Sequence, residues 1–176
     1  MKQNQKITLC GVAAGLSVIL MLLGYFPYFT YAAPAAAGLC MMIPVMEINS
    51  RWAGGTFLAS ALLSLLFCER EASLLYLFLL GYYPILKAYI EKIRVLWLEW
   101  VLKLTVCAVS VGCCYAVLSF VFAFDLGEFG TLGKYGTILL GVLALFTFVL
   151  YDIGLSRLSS LYLIRIHPLF KKMFHN

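Results

Sequence analysis

Almost the whole chain consists of apolar runs long enough to cross a bilayer, and the polar turns between them are only a few residues long. A helix of about 20 apolar residues matches the hydrocarbon core of a membrane. In lipid a spanning segment must satisfy its own backbone hydrogen bonds, which an isolated run achieves as an α-helix. Composition agrees: 64% of the residues are hydrophobic and 12% are charged, where a soluble domain carries about 25% charged residues. A water-soluble core of this size has no room for so many Leu, Phe and Val. The expected fold is an all-α integral membrane protein: one bundle of six transmembrane helices forming a single domain over residues 1–176.

The expected spans are residues 7–24, 32–48, 52–67, 72–90, 95–124 and 137–164. The N-terminus, with Lys2 and Lys6 before an apolar run and then AAPAAAG, imitates a signal peptide. Its apolar run is longer than a usual signal core and further spans follow, so it is read as a retained first span. That span carries Gly11 and Gly15 in a GxxxG arrangement, which lets a second helix approach closely. Packing within the chain and docking to a partner both use such a surface. The loop Tyr25–Tyr31, YFPYFTY, reads either as an interfacial aromatic belt or as a lid over a ligand pocket. Pro44 is expected to kink the second span, and Pro84, after Gly81-Tyr82-Tyr83, the fourth. The glycines at 127, 130, 133 and 136 read as a flexible loop.

Six spans put both termini on one side, and the basic residues decide which. Of the 13 Lys and Arg, only Arg70 and Lys134 fall on the side opposite the termini. The positive-inside rule then makes both ends cytoplasmic. Localisation to a prokaryotic inner (plasma) membrane is expected, as a multi-pass protein.

The stretch Gly81–Leu104 is the main charged interruption, closing the fourth span and opening the fifth. Glu99, Lys103, Cys107, Ser110 and Cys114 form one polar stripe on the fifth span, and Asp152, Ser156 and Ser159 a second on the sixth, with Arg157 beside it. Lipid penalises such side chains, so both stripes should face the bundle interior. Lys87, Glu99, Lys103, Asp152 and Arg157 are expected to form an intramembrane charge cluster near the cytoplasmic end, with Glu99 and Lys103 paired at i, i+4. Its expected role is a structural ion network or charges that snorkel to the nearby interface, a coupling site for a partner protein, or a proton relay or catalytic site. Tyr76, Tyr83 and Lys87 are expected on one stripe of the fourth span.

Enzymatic activity is not expected. The chain has no HExxH, GxSxG or P-loop, and Lys103 and Arg157 stand beside the one carboxylate pair that facing helices could form. No cofactor or metal is expected. The six cysteines have no CxxC or Cys/His metal spacing, and His167 and His175 are too far apart for a metal motif. The net charge of +5 sits at span ends rather than on a nucleic-acid face, so the expected partner surface is the lipid bilayer.

Six spans in a short chain, cytoplasmic termini, the small-residue patch Gly11–Gly15 and the aromatic first outer loop Tyr25–Tyr31 together resemble the substrate-binding S components of energy-coupling factor (ECF) transporters. The resemblance is architectural and carries no diagnostic motif. It implies a micronutrient site in the outer half, with Tyr31, Tyr76, Tyr115, Ser119 and Tyr135 as candidate ligand-binding residues. It also implies docking of Gly11 and Gly15 to a transmembrane coupling subunit driven by two ATPases. The lack of outer-half charge outside the loops favours a neutral or aromatic ligand such as a vitamin. The alternative is a polytopic scaffold of the rod-shape MreD type, or a subunit of another membrane complex, which needs no ligand pocket.

Overall fold

A computed structural model describes residues 3–26, 28–93, 96–122 and 133–165, with side chains undescribed at 96, 115, 118–122 and 133–141. The described residues are all-helical. The helices are α1 (Gln3–Leu22), α2 (Ala32–Cys40), α3 (Met42–Glu47), α4 (Ser50–Phe67), α5 (Arg70–Leu75), α6 (Tyr83–Ile90), α7 (Leu96–Phe122) and α8 (Gly133–Arg165). A 3₁₀ turn, Leu23–Tyr25, ends α1, and a π-helical segment, Tyr76–Leu80, joins α5 to α6. Gly133 and Gly136 belong to α8 rather than to a loop, whereas Gly127 and Gly130 lie outside the described residues.

Four stretches are long and apolar enough to cross a membrane: Gln3–Tyr25, Arg70–Ile90, Trp97–Cys114 and Val142–Arg165. The two remaining expected spans are also helical. Ala32–Glu47 is shorter and broken at Met41. Ser50–Phe67 is continuous, but Arg51 and a run of Gly, Thr and Ser make it less apolar.

The sorting of side chains shows which solvent this bundle is built for. Its buried polar and charged set comprises Ser17, Thr30, Thr56, Ser60, Ser64, Ser73, Lys87, Lys103, Ser110 and Asp152. Its exposed surface is a continuous array of Leu, Ile, Val and Phe from α1, α4, α7 and α8. Helix α4 makes the point alone: Ala53, Thr56, Ser60, Ala61 and Ser64 face inward, and Leu58, Leu62, Leu65 and Leu66 face outward. In water this arrangement would expose far more apolar area than a soluble monomer carries. In lipid, close helix packing through small residues is the usual solution. The buried hydroxyls satisfy themselves on the turn behind, as Thr56 does on the Trp52 carbonyl (2.9 Å). They also reach across helices: Ser60 pairs with the Tyr76 hydroxyl (2.8 Å) and Ser73 donates to the Ser64 carbonyl (2.8 Å).

Helices α1 and α4 run parallel. Ile7 and Arg51 line the same groove near one end of the pair, and the Tyr25 hydroxyl donates to the Phe67 carbonyl (2.8 Å) at the other. Helix α2 packs against α1, with the Ser17 hydroxyl 3.2 Å from the Ala37 carbonyl. The inward face of α1 is Ala13, Ser17 and Met21.

Both prolines interrupt their helices, for different local reasons. Pro44 cannot donate to the Cys40 carbonyl, and the helix breaks nearby at Met41. Pro84 leaves the Leu80 carbonyl without its usual donor. The Tyr151 hydroxyl of α8 takes that place at 3.0 Å, the kind of rescue by a neighbouring helix that lets proline persist within a membrane. Just before it, Gly81 N–H donates to the Tyr76 carbonyl (2.8 Å), five residues back, which adds one residue to the turn. Tyr151→Phe should therefore leave a buried carbonyl unpaired at a cost of about 1–3 kcal/mol. A thermal melt of the purified protein in detergent checks this; an unchanged midpoint would mean that water or another donor replaces the hydroxyl.

Candidate functional site: a buried ion network

The polar stripes of α7 and α8 meet α6 at one end of the bundle. The inward orientation of the α7 stripe holds: Lys103, Cys107, Ser110 and Cys114 are all buried. At the centre of the site stands Asp152. Its Oδ1 accepts from the Tyr83 hydroxyl (2.6 Å) and pairs with Lys87 Nζ. Its Oδ2 pairs with Lys103 Nζ at 3.0 Å. One carboxylate thus takes donors from α6 and α7 while belonging to α8.

The two lysines are as deeply placed as the acid, with side chains about 5% exposed against 6% for Asp152. Lys87 also donates to the Asp152 carbonyl (2.7 Å) and to Ser156 Oγ (2.6 Å), so all three ammonium protons have acceptors. Lys103 pairs with Glu99 at 2.7 Å, one turn back on α7 as its spacing predicts, and sits 5.7 Å from the centre of the Trp100 ring. Glu91, just past α6, approaches Lys87 at 3.4 Å and Lys103 at 3.9 Å. Its side chain is 46% exposed, which makes it the opening of the network toward the bundle end.

Four of the five expected members of the cluster are therefore brought together: Lys87, Glu99, Lys103 and Asp152. Arg157 is not among them. It points outward from α8 and has no ion-pair partner among the described residues. The reason is angular: Arg157 lies five residues beyond Asp152, off the face that Asp152 and Ser156 share. Two members went unanticipated. Glu91 reads as a turn residue, although its i, i+4 spacing from Lys87 is the available signal. Tyr83 was expected on a common stripe with Tyr76 and Lys87. The extra residue in the π turn rotates the chain, so Tyr83 faces α8 while Tyr76 faces α4.

Of the candidate ligand residues, Tyr31 and Tyr76 have described side chains, and the two differ sharply in exposure. Tyr31 is 70% exposed at the start of α2. Tyr76 has no exposed surface and packs against Phe57, with its hydroxyl on Ser60. The side chains of Tyr115, Ser119 and Tyr135 lie outside the described residues. Gly11 and Gly15 do lie together on the outer surface of α1, with open space where a Cβ would stand. Among the described residues no group of three or more His, Cys, Asp or Glu side chains could hold a metal ion, and the cysteines are free thiols.

Chemically, the network is closed on itself. Tyr83 and Lys87 are committed as donors to Asp152, and Lys103 is shared between Asp152 and Glu99. It ties three helices through one carboxylate and connects outward only through Glu91 and Glu99. Comparison with family models, with curated proteins and with solved structures finds no match to this chain.

Proposed function

We propose that this protein is a membrane-embedded substrate-binding subunit of an ATP-driven micronutrient importer, with no enzymatic activity of its own. Separate partners, a transmembrane coupling subunit and two ATPases, would energise it. The observation that carries the proposal is the open small-residue face of α1. Gly11 and Gly15 are unused for packing within the chain, whose contacts run through Ala13, Ser17 and Met21. An unfilled GxxxG surface in an apolar helix suits close approach by a helix from another subunit. Six spans, cytoplasmic termini and a prokaryotic inner membrane belong to the same proposal. The parallel course of α1 and α4 supports the alternation of spans, and the gathering of charges at one bundle end supports the orientation. The cargo class, neutral or aromatic, rests on the resemblance and on the lack of outer-half charge outside the loops.

One observation favours the second reading, a scaffold of the rod-shape MreD type. Tyr76 is sealed inside the bundle, so a ligand could reach it only if α4 and the π turn moved apart. A scaffold needs the outward glycine face and no pocket. The deciding experiment is purification of the tagged protein in mild detergent, with mass spectrometry of everything that accompanies it. A coupling protein with two ATPases, or a stoichiometric micronutrient-like molecule, is the expected result. Binding of that molecule should then weaken in Tyr31→Ala or Tyr135→Ala. Envelope-synthesis partners without a small molecule would replace the importer by the scaffold, and a protein without partner or ligand would overturn both.

A further inference from the structure

A second feature overlaps the glycine face at Gly11 and goes beyond the importer proposal. Between the N-terminal halves of α1 and α4 lies a groove of about 450 Å³. Its floor is small and apolar: Gly11 and Ala14 from α1, Gly55 and Ala59 from α4. Ile7 and Trp52 also line it, as does Arg51 from the first turn of α4.

Arg51 is exposed, and among the described residues no carboxylate lies within ion-pair distance of it. The acid nearest in sequence, Glu47, accepts from the Tyr162 hydroxyl (2.9 Å). The groove thus combines an unpaired guanidinium, an interfacial tryptophan and a glycine-floored apolar slot. From Ile7 to Ala14 the slot follows about 10 Å of helix, starting one residue after Lys6. A soluble ligand would gain little from such an apolar slot. A single acyl chain fits it, and the headgroup phosphate of the same lipid would lie level with Arg51. Guanidinium forks match phosphate oxygens in geometry as well as in charge.

We propose that the α1–α4 groove binds one anionic phospholipid, with its phosphate on Arg51 and an acyl chain over Gly11 and Gly55. The basic bundle end places Arg51 in the leaflet where anionic lipid attracts basic residues. The groove is a property of this chain alone and does not require the importer partners.

The test uses the full chain in nanodiscs of equal parts phosphatidylglycerol and phosphatidylcholine, released and read by native mass spectrometry. The unmodified protein should retain phosphatidylglycerol over phosphatidylcholine by roughly fivefold, the factor that one interfacial basic residue supplies. Arg51→Gln should bring the ratio close to one. Gly55→Leu should fill the slot and reduce retention of both lipids; a Cβ there meets nothing within 4 Å, and a melt beside the unmodified protein checks that the variant keeps its fold. Arg157→Gln, an exposed cation at the same bundle end, should leave the preference intact. Equal retention of the two lipids by the unmodified protein, an undiminished preference in Arg51→Gln, or an equal loss in Arg157→Gln would each overturn the assignment. So would unchanged lipid retention in Gly55→Leu.

Discussion

Asp152→Ala is expected to destabilise the folded bundle by about 3–5 kcal/mol, the range for removing one partner of a buried ion pair. The magnitude comes from what is left behind. Lys87 and Lys103 remain inside the bundle with side chains about 5% exposed. Lys87 keeps the Asp152 backbone carbonyl and Ser156, and Lys103 keeps Glu99. Neither replaces the central carboxylate that held both ammonium groups across three helices. The Tyr83 hydroxyl also loses its acceptor, adding a buried unsatisfied group. Asp152→Asn keeps an acceptor without the charge and should fall between Ala and the unmodified protein. Arg157→Ala, exposed and outside the network, should shift stability by no more than about 0.5 kcal/mol. Thermal unfolding of all three in one detergent reads the order directly. If Asp152→Ala melted with Arg157→Ala, the ion network would not be holding α6, α7 and α8 together.

A membrane environment sharpens this expectation in one respect. Charged side chains within spans persist where they pair with one another or with backbone carbonyls, and Lys87 does both. Both Asp152 oxygens already accept, Oδ1 from Tyr83 and Lys87 and Oδ2 from Lys103. Glu91, half outside the bundle, and the partly exposed Glu99 offer the network a route to an approaching partner.

Much of this was legible in the sequence, because period and burial are linked so tightly in a lipid-facing helix. The stripe Lys103, Cys107, Ser110 and Cys114 can be read off α7 by counting, and it faces inward as counted. The Glu99–Lys103 pair follows from i, i+4 spacing alone. Counting fails where the helix does not keep its period. One added residue at Tyr76–Leu80 turns Tyr76 and Tyr83 toward different neighbours, and no hydrophobic pattern reports a π turn. Counting also fails across a boundary. Glu91 stands just beyond α6, so a span-by-span reading assigns it to a turn, yet its side chain folds back onto Lys87. The GxxxG pair shows a third limit. Sequence marks Gly11 and Gly15 as a surface for close approach, but which surface α1 turns inward depends on its neighbours. Ala13 and Ser17, equally small, won that place against α2.

That contrast leads to a paired substitution with opposite outcomes. Gly38→Ala is expected to be costly, and Gly15→Ala nearly silent, although both sit in apolar helices. Gly38 on α2 faces the point where Pro84 has freed the Leu80 carbonyl and the Tyr151 hydroxyl has closed on it. A Cβ at Gly38 would run into both of those oxygens and lie 3.1 Å from the Leu80 carbonyl carbon. Two of these atoms are backbone, so the helices must separate or the Tyr151 bond must break. Overpacking of this kind costs about 1–3 kcal/mol, and an orphaned Leu80 carbonyl adds a penalty of similar size. Around Gly15 there is nothing within 4 Å, so the added methyl meets only solvent or lipid and stability should stay within about 0.5 kcal/mol. The two variants, melted side by side in the same detergent, test the α2–α6–α8 junction itself. Equal midpoints would mean that Leu80 and Tyr151 do not approach Gly38 as closely as described. If Gly15→Ala keeps its melting point but loses a partner found with the unmodified protein, the outward glycine face is a docking surface rather than idle space.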